Sequence, residues 1–146
     1  MPDLEPPTYR ARTVTPAPRS SGFRSLAAMY LERVKRTPDR DAFYYPDASD
    51  NWKTLKWSDV HERVKSWASG LRALGLEDEE LTAILSQTRY EWVLADLAVL
   101  CAGGATTTIY PSSTSDECTF ILTDSGARFV FVEDAAVVYR EAADIA

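Results

Sequence analysis

Apolar positions along the chain change period as it proceeds. From Phe23, apolar residues fall at helical spacing through Leu26, Met29, Tyr30 and Val34. Thr37-Pro38 ends that helix, because the residue before a proline is pushed out of the α region. The pattern then predicts two short strands, Ala42–Tyr45 and Trp52–Trp57, joined as a hairpin by the turn-rich Pro46-Asp47-Ala48-Ser49-Asp50-Asn51. Ser58 reads as the N-cap of an amphipathic helix whose stripe is Val60, Val64, Trp67, Ala68, Leu71 and Leu74. Gly75-Leu76 closes that helix as a Schellman-type stop.

After the acidic run Glu77–Glu80, a unit repeats. Leu81–Leu85 is a continuous apolar strand, and Thr88 with Glu91 has the spacing of a capping box before a helix that is apolar nearly all round. Gly103-Gly104 stops that helix, and Ala105–Tyr110 reads as the next strand. Thr114 and Glu117 repeat the capping-box spacing, with a helix to Asp124 and a stop at Gly126. Arg128–Glu133 is a third strand, and Asp134 caps a further helix carrying Val137, Val138 and Ile145. The strands begin at 81, 105 and 128, the spacing of compact βαβ crossovers. The fold class is therefore α/β: an incomplete parallel sheet built from βα repeats, preceded by a helix and a small β element. Residues 1–22 form a Pro/Arg leader and residues 23–146 one partial α/β unit.

Composition narrows the chemistry. With 45% hydrophobic and 26% charged residues the chain reads as an ordinary globular domain, and its two Cys and one His supply neither a disulfide scaffold nor a zinc site. Residues 1–40 hold eight Lys and Arg against four Asp and Glu, whereas residues 41–146 hold eight against eighteen. An acidic body disfavours nucleic acid as a partner. No apolar run approaches the ~20 residues that span a bilayer, and the leader lacks the apolar core of a secretory signal. The reading is cytoplasmic, with peripheral membrane association left open. An uncovered sheet edge predicts self-association.

The side chains that commonly carry catalysis are poorly placed for it. No glycine-rich phosphate loop follows any strand; the turns are Ser86-Gln87-Thr88 and Pro111-Ser112-Ser113-Thr114. His61 falls in the first turn of an amphipathic helix with no nucleophile assignable to it. Cys101 lies in the apolar helix, and Cys118 is expected to be partly exposed with no cation to activate it. Trp52, Trp57, Trp67 and Trp92 read as core. No catalytic or metal-binding residue is assigned.

Ordered blocks nevertheless carry a specific resemblance. Trp57-Ser58-Asp59-Val60, Gly70-Leu71-Arg72-Ala73-Leu74-Gly75, Ser86-Gln87-Thr88-Arg89-Tyr90-Glu91-Trp92, Ala95-Asp96-Leu97-Ala98 and Ile109-Tyr110-Pro111-Ser112-Ser113 stand in sequence. Over residues 23–146 this resembles the N-terminal part of an AMP-forming acyl-CoA synthetase of the adenylate-forming superfamily, most like the long-chain fatty acid–CoA ligases. The resemblance implies fatty acid, ATP, Mg²⁺ and CoA as reactants. It places the phosphate loop, the ribose-binding aspartate, the hinge and the catalytic lysine beyond Ala146, so the chain alone is expected to be inactive. It also implies that the turn Tyr110, Ser112 and Ser113 lies near CoA, against a plain strand-to-helix turn with a packed Tyr110. Two segments depart from the family: Glu77-Asp78-Glu79-Glu80 stands where a Gly-Asp pair usually precedes the strand, and Thr106-Thr107-Thr108 replace a more apolar strand. Two other readings stand beside it, a truncated non-catalytic protein-binding module and a small Rossmann-like ligand-binding domain.

Overall fold

A computed structural model describes residues 22–133. The leader and the helix expected after Asp134 lie outside the described residues. The chain runs α1 (Leu26–Arg36), β1 (Asp41–Pro46), β2 (Trp52–Lys56), α2 (Trp57–Ala73), β3 (Leu81–Leu85), α3 (Tyr90–Cys101), β4 (Ala105–Ile109), α4 (Ser115–Ser125) and β5 (Phe129–Val132). β1 and β2 form an antiparallel hairpin, and the other strands form a parallel sheet in the order β4-β3-β5. The central strand β3 pairs Leu81 through Leu85 with Ala105 through Ile109 on one side, and Thr82 through Leu85 with Phe129 through Val132 on the other.

The pleat of β3 divides the core into two faces. Ala83 and Leu85 pack with Ile109 and with Cys118 of α4. Thr82 and Ile84, equally buried, point to the opposite face. There α3 covers the sheet and is itself covered: Leu94 and Ala98 meet Tyr30, Leu55, Val60 and Val64, while Val99 and Ala102 meet Leu71 and Leu76. Every residue of α3 is buried or half-buried, as its apolar sequence predicts.

Four details differ from the sequence expectation, each for a local reason. α2 begins at Trp57, one residue before the anticipated cap Ser58. The amides of Trp57 and Ser58 donate to the carbonyls of Arg40 and Pro38, and the Lys56 amide donates to Asp59 Oδ2 at 3.0 Å, so loop backbone and Asp59 together close the start of the helix. Leu74 is 71% exposed rather than part of the stripe. The chain leaves the helix there, and Gly75 at φ 96° turns Leu76 back so that its amide donates to the Leu71 carbonyl and its side chain is buried against Leu71. Trp52 is 63% exposed at the end of the hairpin. Cys118, expected near the surface, is buried under β3.

The two departures from the family pattern acquire physical partners. In the edge strand β4, the Thr106 hydroxyl donates to Asp96 Oδ1 at 2.7 Å, satisfying the acid in the middle of α3. Glu80 accepts from the Glu77 amide and from Arg128. Glu79 adopts φ 67°, the left-handed region where glycine is easier. Among the described residues no helix is long and apolar enough to cross a membrane.

Candidate functional site

Adjacent parallel strands whose connections leave toward opposite faces open a crevice at their C-terminal ends, and α/β sheets place ligands there. β3 and β4 are such a pair. β3 leads through Ser86–Arg89 to α3 on one face, and β4 leads through Tyr110–Thr114 to α4 on the other. The crevice between them has a volume of about 500 Å³. Ser86, Gln87 and Thr88 form one wall, Thr108, Tyr110 and Ser112 the other, and Trp92 lines it from α3.

The two walls are built differently. On the β4 side the Ser113 amide donates to the Tyr110 carbonyl at 2.9 Å. The capping box then closes locally: the Glu117 amide donates to Thr114 Oγ1 at 3.3 Å and the Thr114 amide to Glu117 Oε2 at 2.8 Å. On the β3 side the corresponding box from Thr88 and Glu91 does not form. α3 starts one residue later than that box requires, at Tyr90 with Arg89 as its cap residue, so Glu91 occupies the second helical position rather than the third.

The β3 wall is held instead by Glu133, just past β5. Its carboxylate accepts from the Gln87 amide at 2.8 Å, from the Ser86 hydroxyl at 3.2 Å and from Arg89 Nη1 at 2.9 Å. The Arg89 guanidinium also forks onto both oxygens of Glu91, at 2.7 and 2.9 Å. The Gln87 amide and then Arg89 hold the Glu133 carboxyl below the usual carboxylate range. Burial pushes Glu91 up, but Arg89 outweighs it and that carboxyl also stands low.

Chemically, the crevice offers hydroxyls, an amide side chain, backbone groups and an aromatic ring. Among the described residues no charged one lines it. It suits a neutral polar ligand segment and does not fit a triphosphate. Among the described residues no group of three or more His, Cys, Asp or Glu is arranged to hold a metal. His61 Nδ1 lies 3.5 Å from the Tyr30 hydroxyl, part-buried and away from the crevice. Burial raises the thiol pKa of Cys101, which works against a reactive thiolate.

Of the three residues singled out in sequence, Tyr110 and Ser112 line the crevice, and Tyr110 is 77% exposed rather than packed. Ser113 closes the turn through its amide and faces a neighbouring hollow beside Phe120. Sequence reasoning missed Arg89 and Glu133. Their contact spans 44 residues and leaves no local pattern to read.

Comparison with known proteins agrees with this architecture. The family model described as AMP-binding enzyme matches residues 30–145. The long-chain-fatty-acid–CoA ligase FadD15 of Mycobacterium bovis is 32% identical over 119 residues, covering 81% of this chain and 20% of its own length. The chain thus spans about a fifth of that relative. The fatty acid AMP ligase from Legionella pneumophila superposes with a TM-score of 0.69 at 21% identity, over 80% of this chain and 20% of that one, a likeness of fold. The O-succinylbenzoate coenzyme A synthetase of Bacillus subtilis, in complex with AMP, does so at 0.65 and 28% identity, over 73% and 26%. A parallel sheet with a switch-point crevice, matched across its length by the family model, makes this chain a member of the AMP-binding enzyme family.

Proposed function

We propose that this chain is the N-terminal part of a long-chain fatty acid–CoA ligase acting in the cytoplasm or at its membrane face. The observation that carries the reading is the 119-residue match to a long-chain-fatty-acid–CoA ligase at 32% identity. The reaction has two steps. A fatty acid carboxylate oxygen attacks the α-phosphate of ATP, forming acyl-adenylate and releasing pyrophosphate. The CoA thiol then attacks the acyl carbonyl and displaces AMP.

The residues described here contribute a frame rather than the phosphate chemistry. Neither strand-end turn at the crevice has the glycine or lysine that would cradle a triphosphate, so ATP and Mg²⁺ are assigned to residues outside it. The neutral crevice with Tyr110 and Ser112 at its lip fits an amide-bearing, uncharged segment such as the pantetheine arm of CoA. The outer edges of β4 and β5 pair with no strand among the described residues, which supports association with further chain or with a second copy.

The test uses the natural polypeptide that carries this sequence, supplied with palmitate, ATP, Mg²⁺ and CoA. Formation of palmitoyl-CoA with AMP and pyrophosphate is expected. No acyl-CoA from any fatty acid overturns the reading. The 146-residue chain assayed alone is expected to form none.

A further inference from the structure

The turn between β3 and α3 is the common wall of three hollows. Gln87 and Thr88 line the crevice described above and also a larger hollow of about 830 Å³ between the hairpin and the start of α3, bounded by Tyr45, Trp52 and Tyr90. Ser86 and Arg89 line a third, toward Trp67 and Phe131. A wall open on several sides has few packing neighbours to fix it. It also lacks a local side-chain cap. What fixes it is one carboxylate arriving from the neighbouring strand.

That carboxylate stands on a firm base. The Glu133 amide continues the parallel ladder by donating to the Leu85 carbonyl at 3.2 Å, so the side chain is launched beside the end of β3. It then takes the amide of Gln87, the hydroxyl of Ser86 and one edge of Arg89, while the other edge of Arg89 is occupied by Glu91 at the start of α3. All the donors converge on the four residues that separate β3 from α3.

We propose that Glu133, with Arg89 as its partner, is a positioning residue that sets the β3 wall of the crevice and thereby the placement of the ligand bound there. The lining is uncharged among the described residues, so binding to them depends on directional hydrogen bonds and not on long-range attraction. A displacement of about 1 Å in such a wall costs up to about 10²-fold in a reaction that depends on it. Glu133 touches no reacting atom; it acts through Ser86, Gln87 and Arg89. The kinetic consequence rests on the ligase reading above, whereas the structural consequence does not.

The test joins the two. In the 146-residue chain, Glu133→Ala is expected to speed exchange of the Gln87 amide by about tenfold, the scale of a lost charge-assisted hydrogen bond, and to leave the Glu117 amide unchanged. Unchanged exchange at Gln87 overturns the proposal. In the natural polypeptide, Glu133→Ala is expected to raise KM for CoA in the thioester step by about tenfold while pyrophosphate exchange, which reports adenylation, changes by less than about twofold. Glu133→Asp recovers part of the loss, and Arg89→Gln reproduces it from the other side. Equal loss in both half-reactions shows general destabilisation and overturns the positioning role. If the wild-type polypeptide forms no acyl-CoA, the ligase reading fails, and amide exchange alone then decides whether Glu133 sets the wall.

Discussion

The two walls of the crevice carry the same sequence signature and solve the same problem in opposite ways. Thr88-Arg89-Tyr90-Glu91 and Thr114-Ser115-Asp116-Glu117 both have a threonine followed three residues later by a glutamate at the start of a helix. In the second, threonine and glutamate cap one another and the turn is self-contained. In the first, the helix begins one residue late, the glutamate turns to Arg89, and the turn is secured by Glu133 from across the sheet. A capping box needs the right register as well as the right residues. Where Arg89 offers a guanidinium to two carboxylates, that alternative defeats the local motif. One wall is therefore as stable as its own helix end, while the other is as stable as the β3–β5 pairing beneath it.

Substitutions can break or sharpen this contrast. The largest effect is expected where both walls share support. Leu94 of α3 is fully buried against Tyr30, Val60 and Val64, and Leu94→Ala should lower stability by about 2–5 kcal/mol in urea unfolding. Loss at that level should loosen the crevice as a whole rather than one side. Next, Thr114→Ala removes a side-chain acceptor in use and should cost about 1 kcal/mol, whereas Thr88→Ala, at the same motif position, should stay within about 0.5 kcal/mol. Equal costs for the two threonines would contradict the assignment of caps.

Acid should act on the β3 wall through Glu133. Its carboxyl is held below the ordinary value, chiefly by the Gln87 amide, so its contribution is complete above about pH 4.3 and is lost as pH falls through the lowered value. The protection factor of the Gln87 amide should therefore decline with acidification below that point and remain flat through neutrality. The smallest effect is expected at Ser58. Ser58→Ala should change stability by less than about 0.5 kcal/mol, because Ser58 serves the start of α2 through its backbone amide, which donates to the Pro38 carbonyl and is kept in alanine.

The same contrast explains how much could be read from sequence. Within the described residues the helices, the hairpin, the three parallel strands and the glycine stops at Gly75, Gly103 and Gly126 were legible because each is written in a local period or a neighbouring turn residue. Gly75 illustrates it: a left-handed residue followed by Leu76 folds back onto Leu71 within one helical turn. Leu74 was misread because the stripe ends when the chain leaves the helix, a decision made by Gly75 rather than by hydrophobicity. The turn holding Tyr110 and Ser112 was singled out by resemblance alone; that both residues line a crevice with Ser86–Thr88 becomes visible only in the folded sheet. Arg89, Glu91 and Glu133 were not legible, because a carboxylate 46 residues from the amide it holds follows no periodicity. Their arrangement exists only once β5 lies beside β3.

Amide exchange at Gln87 and at Glu117, compared in Glu133→Ala and Thr114→Ala, tests the two-wall account most directly. The account predicts that Glu133→Ala exposes Gln87 and spares Glu117, and that Thr114→Ala exposes Glu117 and spares Gln87. If either substitution loosens both amides together, or if Gln87 keeps its protection without Glu133, the walls are not independently held and the account is wrong.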